Sequence, residues 1–439
     1  MSSATTTLRI AKELANIQKS PDQGIYVYFD EKNLMRAQAL ILGPLDTPYE
    51  YGLFEFKMSF PEGYPSKPPC VSALTTNDGW TRFNPNIYAN GKVCLSILGT
   101  WRGEAGEQWS SAQGIESVLM SIQSLMCSNP FENEPGFGPG SERESLHRDK
   151  AQQYIQKIQH ETLRISVIKR LEESLHISSV TGKVKKTPEN EQPEDVPADV
   201  PFKDLCKRLF RYYYPSYMRT IAREKQSIKD NTFFETMPFE GPDNEMKGSF
   251  DYADLERRMH AITAALDKET EHWATEGAEA VRNHDAAASM LSGMYSQIAG
   301  YLVRTYDGTV TLELVDDNPF VWRIIYFGRP TTSLDGALFR IKLAFSVRFP
   351  EEQPRAVYET PIYHLNITPS GIPYYRPSKP EDPQSHIEAL IASLENDKLS
   401  PDPRTWMNLD AAELYFGSDA QKKEYRRTFR RAVMRSAEY

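Results

Sequence analysis

Apolar residues recur along the chain with two periods. In "TLRIAKELANIQ", Ile10, Leu14 and Ile17 fall on one face of a helix. "GLFEFKMSFP" alternates Phe54, Phe56, Met58 and Phe60 with Glu55, Lys57 and Ser59, the rhythm of a half-buried strand. "GIESVLMSIQSLM" predicts a short apolar helix. From about residue 150 the period becomes helical, with Leu163, Val167, Leu171 and Leu175 spaced by four. Two further helical runs, "FKDLCKRLFRYYYPSYMRTIAREKQ" and "FDYADLERRMHAITAAL", flank the loop "TMPFEGPDNEMKG". Residues 182–201 are polar, rich in proline and acid, and predict a flexible segment. After about residue 285 the mixed pattern returns in "GALFRIKLAF", where Phe339, Ile341, Leu343 and Phe345 alternate with Arg340, Lys342 and Ala344.

That return is one part of an internal repeat. "NPNIYANGKVC" and "HLNITPSGIPY" align without gaps, placing Asn86 on Asn366, Ile87 on Ile367 and Gly91 on Gly371. The residue that falls on Cys94 is Tyr374. Each copy has an upstream Phe-Pro pair (Phe60-Pro61, Phe349-Pro350) and a downstream helical run.

Composition narrows the function classes. With 439 residues, 40% hydrophobic and 25% charged, the chain has an ordinary globular make-up with room for two or three domains. No apolar run reaches the eighteen or so residues of a membrane span, and the N-terminal stretch lacks the apolar core of a secretory signal. A formal charge of −9 argues against a general nucleic-acid binder. Four scattered cysteines make neither a disulfide framework nor a zinc site and point to a reducing, intracellular setting. The phosphate-loop, HExxH and serine-elbow motifs are absent. By its neighbours alone, a cysteine between Val93 and Leu95 packs in a core.

A larger motif set changes that reading. "GPLDTPYEYGLFEFKMSFPEGYP", the "NPN" of residues 84–86, "GKVCLSIL" and "WSSAQGIESVLMSIQSLM" together resemble the ubiquitin-conjugating enzymes, or E2s. In that family an Asn lies eight residues before the active-site Cys; Asn86 and Cys94 keep the spacing, while Asn84 stands where the family has His. "RFNPNIYANGKVCLSILGTW", "NEPGF" and "GSFDYADLERRM" are similar to the large Z-type members, so the resemblance runs to about residue 275.

The resemblance implies an α+β protein: an E2 (UBC) fold with a four-stranded antiparallel sheet flanked by helices over 1–160, a helical extension over 161–285, and a second E2-like domain over 286–439. With Tyr374 in the cysteine position, the second copy resembles the non-catalytic E2 variants, and His364 takes a structural role in its turn. Cys94 would carry ubiquitin or a ubiquitin-like modifier as a thioester, received from an activating enzyme (E1) of the standard or a non-standard kind. No cofactor is implied, because ATP is consumed by the E1.

A thiolate is a strong nucleophile, and a thioester reacts readily with the acceptor lysine amine. Asn86 would donate to the developing oxyanion or shape the active-site loop. Glu134 sits about where many E2s carry an acidic gate residue that could receive the lysine proton, and Glu132 is its rival. Cys70, Cys127 and Cys206 lack such context and read as packing residues. Ser66 and Ser111 replace the family's usual Phe and Pro, which predicts weaker docking of common E3 ligases. An E3 or a direct protein substrate would then be the partner, with neither nucleic acid nor membrane involved, in the cytoplasm and/or nucleus. The alternative is a non-catalytic ubiquitin-binding scaffold built from two E2-like folds.

Overall fold

A computed structural model describes residues 3–19, 24–29, 32–103, 106–138, 144–183, 201–241 and 245–439. Most of the expected flexible segment 182–201 lies outside the described residues. The chain divides into two compact units, 1–206 with 220–262, and 207–219 with 263–439. The expected helical extension, 161–285, is thus shared between the units instead of standing apart.

In the first unit, α1 (Ser3–Lys19) precedes a meander of β1 (Ile25–Phe29), β2 (Arg36–Leu42), β3 (Leu53–Ser59) and β4 (Cys70–Ala73). All neighbours pair antiparallel in chain order. Ile10, Leu14 and Ile17 of α1 and Phe54, Phe56 and Met58 of β3 enter one core, as their periods predicted. That core is closed by α2 (Ile115–Leu125), whose first free N–H, on Ile115, bonds Glu13 Oε2 at 2.9 Å.

Next, α3 (Glu144–Glu161) passes through a π-helical stretch, Thr162–Lys169, into α4 (Arg170–Ser174). Arg170 pairs with Glu55 at 2.6 Å, covering the start of the polar side of β3, while Lys57 stays exposed. The segment between α5 (Lys203–Ser227) and α6 (Tyr252–Arg282) contributes Met237 and Met246 to the same core. Lys157 and Glu240 close this region as an ion pair at 2.7 Å, each side chain 1% exposed.

The second unit repeats the plan with α7 (Ala286–Thr305), β5 (Val310–Val315), β6 (Asn318–Phe327), β7 (Leu338–Ala344), β8 (Arg355–Tyr358) and α8 (Pro383–Glu395). The paired helices expected at its end are α9 (Leu409–Phe416) and α10 (Asp419–Arg435). Register corrects one part of the repeat. Phe56 pairs with Ala73, and Ile341 with Tyr358. The ring pair Phe60–Tyr64 (5.2 Å) then matches Phe345–Phe349 (5.4 Å). Phe349-Pro350 therefore corresponds to Tyr64-Pro65, not to Phe60-Pro61; the similar dipeptides misled because both precede loops after the same strand.

Among the described residues no helix is long and apolar enough to cross a membrane.

Candidate active site

Cys94 lies in a chain reversal that begins after β4. Gly91 makes the reversal possible: its φ is +87°, and a Cβ there would sit 2.7 Å from the Ala73 carbonyl. Its own carbonyl accepts from Ala73 N–H at 2.8 Å, tying the loop to β4. Gly371 repeats both features against Tyr358, with φ +88°.

Across this reversal Asn86 and Cys94 face each other. Cys94 N–H donates to the Asn86 carbonyl at 2.8 Å, and Asn86 Nδ2 donates back to the Cys94 carbonyl at 2.9 Å. The second copy repeats the first of these bonds, Tyr374 N–H to the Asn366 carbonyl at 2.7 Å.

Asn84 explains how the turn tolerates the absence of His. Its Oδ1 accepts from Asn86 N–H at 2.9 Å, while in the second copy His364 Nδ1 accepts from Asn366 N–H at 3.1 Å. Either side chain satisfies the same backbone donor. Fully buried, Asn84 also donates from Nδ2 to the Tyr49 hydroxyl (3.0 Å) and the Leu125 carbonyl (2.8 Å). Asn133 Nδ2 reaches both Asn84 Oδ1 (3.3 Å) and the Leu125 carbonyl (2.9 Å). The turn is thereby fastened to the end of α2 and to the short 3₁₀ turn Pro130–Asn133.

On the other side, Thr100 brackets the cysteine. Its hydroxyl donates to the Val93 carbonyl at 2.7 Å and accepts from Leu95 N–H at 3.0 Å. The backbone before and after Cys94 is held from one side chain. Cys94 itself is 3% exposed.

Glu134 follows the Pro130–Asn133 turn, half-buried, with Arg82 Nη2 at 3.6 Å. Burial raises its carboxyl above the usual range, and the Arg82 charge opposes this. Arg82 is itself buried over the Tyr88 ring and donates to the carbonyls of Pro85 and Phe239. One guanidinium thus joins Glu134 to the Asn84–Asn86 turn. Glu132 is exposed and accepts from Asn129 at 2.7 Å.

Cys206 is buried and Cys127 half-buried, in line with packing roles, but Cys70 is exposed. It occupies an outward position of β4, where the strand alternates exposed and buried residues. Sequence reading assigned no role to Tyr49, Arg82, Thr100 or Asn133. Tyr49, Arg82 and Asn133 act through bonds between distant residues, whereas Thr100 reaches back only to Val93 and Leu95; only Arg82 and Thr100 fall inside the quoted cysteine motif.

The family model of ubiquitin-conjugating enzymes matches residues 9–162 and again 298–433. The chain belongs to the ubiquitin-conjugating enzyme family. Its two matches coincide with the two four-stranded units, so the E2 fold occurs twice. This E2-family chain is 39% identical over 255 residues to human ubiquitin-conjugating enzyme E2 Z, covering 58% of this chain and 62% of that protein. It is 44% identical over 185 residues to the probable ubiquitin-conjugating enzyme protein 17 of Caenorhabditis elegans, 40% of this chain and 25% of that one. A 141-residue stretch is 44% identical to the human dual E2 ubiquitin-conjugating enzyme/E3 ubiquitin-protein ligase BIRC6, 31% of this chain and 3% of that protein. The match therefore spans less than two thirds of each of these relatives.

Proposed function

We propose that Cys94 accepts ubiquitin, or a ubiquitin-like modifier, from an E1. The Cys94 thiolate attacks the carbonyl of the E1 thioester, and the E1 thiolate leaves. A deprotonated lysine amine then attacks the new thioester; the C–S bond breaks, an amide forms, and the amine's extra proton passes to a base. We assign that base role to Glu134, whose partial burial favours proton uptake. ATP is consumed by the E1, and this chain needs no cofactor of its own.

The observation that carries this reading is the bonding around Cys94. Among four cysteines, it alone sits in a turn whose backbone is held from both sides by Asn86 and Thr100. The second unit lacks cysteine and has Tyr374 at that position, with its ring edge-on to Tyr212 at 5.5 Å. Its role is binding, either of the modifier or of an acceptor. Ser66 and Ser111, both exposed, favour a restricted set of E3 ligases or direct substrate recruitment. The setting that suits a free thiol carrier is the cytoplasm or nucleus.

A second reading, a scaffold that only binds, is favoured by the near-complete burial of Cys94. A charging assay separates the two, using a panel of E1s, ATP and several modifiers. The enzyme reading expects a thiol-sensitive adduct lost in Cys94→Ala and converted to a reductant-resistant ester in Cys94→Ser. No adduct with any E1 would leave the scaffold.

A further inference from the structure

The second unit contains a cavity of about 470 Å³ between the end of α8, the loop after it, α9 and α10. Its wall is apolar and largely aromatic: Leu394, Leu399, Tyr415, Phe416, Tyr425 and Phe429. Such a volume and lining are those of a small-molecule site, for which about 300–1,000 Å³ is usual.

Its polar groups are mostly donors. His364 lines the cavity and is 3% exposed. Its Nδ1 accepts from Asn366 N–H, and a backbone N–H can only donate, so the ring proton sits on Nε2. That N–H has no hydrogen-bond partner among the described residues and, not being fully buried, opens onto the cavity. Lys422 and Arg426, one helical turn apart on α10, also line the cavity, and neither is ion-paired among the described residues. The single acid in the lining, Asp397, already accepts from the Ser333 hydroxyl at 3.0 Å. The site thus offers an aromatic wall, an unused N–H and two unpaired cations.

We infer that this cavity binds a small carboxylic acid with an aromatic or aliphatic body. The body displaces water from the ring-lined wall, and the carboxylate pairs with Lys422 and Arg426 and accepts a hydrogen bond from His364 Nε2–H. The inference is independent of thioester chemistry at Cys94, and it gives the cysteine-free unit a ligand of its own.

Calorimetric titration of the full chain tests it, with 4-phenylbutyrate, indole-3-propionate and octanoate as probes and 4-phenylbutanamide as the neutral match. At least one acid should bind one-to-one with a Kd of about 1 mM or tighter. The amide should bind at least about tenfold more weakly, as should 4-phenylbutyrate to Lys422→Glu/Arg426→Glu. Lys423→Glu, exposed and outside the lining, should leave binding unchanged.

His364→Asn removes the Nε2 donor yet keeps the turn, because Asn84 makes the same bond in the first unit. It should weaken the acid about threefold or more. Absence of saturable binding for all three acids overturns the inference. So does equal affinity for acid and amide, or unchanged affinity in the double charge reversal. Charging of Cys94 in the same preparation is read separately, so either proposal can fail alone.

Discussion

Asn86 and Cys94 are bonded to each other twice, backbone to backbone at 2.8 Å and side chain to carbonyl at 2.9 Å. The carboxamide therefore shapes the cysteine's own peptide unit. Asn86→Ala should slow charging and lysine discharge together, each by about tenfold, and should lower stability by about 1 kcal/mol. Single-turnover rates for the two steps decide the matter. A defect confined to discharge, of about 100-fold or more, would instead mark oxyanion stabilisation as the main role.

Thr100 holds the residues on either side of Cys94 through one hydroxyl. Thr100→Val keeps the shape and deletes both bonds. Expected are a stability loss of about 1–3 kcal/mol and slower charging, with Thr100→Ser restoring most of both. Thermal melts beside charging rates give the answer; an unaffected charging rate would remove Thr100 from the site.

Glu134 stands with its carboxyl raised by burial and opposed by Arg82 at 3.6 Å. Glu134→Gln should leave charging intact and slow discharge to free lysine by about tenfold or more. Glu132→Gln, at an exposed position, should do neither. Discharge assays of precharged protein make the comparison, and equal effects of the two changes would end the assignment.

Gly91 and Gly371 have the same positive φ, and a Cβ at either would press on a carbonyl at 2.7 or 2.6 Å. Alanine at each should cost about 1–3 kcal/mol in its own unit. Gly91→Ala should reduce charging, whereas Gly371→Ala should leave it unchanged, as read by hydrogen exchange and gel assay. Loss of charging in Gly371→Ala would show that the two units are coupled.

His364 and His386 are buried, and burial lowers both to about 4. Between about 6.5 and 4 the unfolded chain binds protons that the folded unit refuses, so stability falls as pH falls through that range. Each histidine should contribute about 1.4 kcal/mol per pH unit there. His364→Asn should remove one of the two contributions and flatten the slope. Denaturant melts from pH 7 to 4 measure it; an unchanged slope would mean that His364 is protonated in the folded state.

Much of this protein was legible in its sequence because the signals are local. Alternation marked β3 and β7, helical spacing marked α1, α2 and α8, and the eight-residue interval from Asn86 to Cys94 marked the loop. The same intervals exposed the repeat. Register did not follow from similarity of short words: Phe349-Pro350 belongs with Tyr64-Pro65, because strand pairing, not dipeptide identity, sets equivalence.

Other features depended on residues far apart in the chain. Asn84 is fastened by Tyr49, Leu125 and Asn133, which lie 35, 41 and 49 residues away along the chain. Arg82 joins Glu134 to Pro85 and Phe239, and Glu55 is neutralised by Arg170 more than 100 residues later. The unpaired N–H of His364 acquires meaning only because α9 and α10 enclose a cavity beside it. Periodicity and spacing are properties of neighbours along the chain and were determined by the sequence itself. Which buried donors find partners, and which are left facing a cavity, was decided only when distant segments packed together.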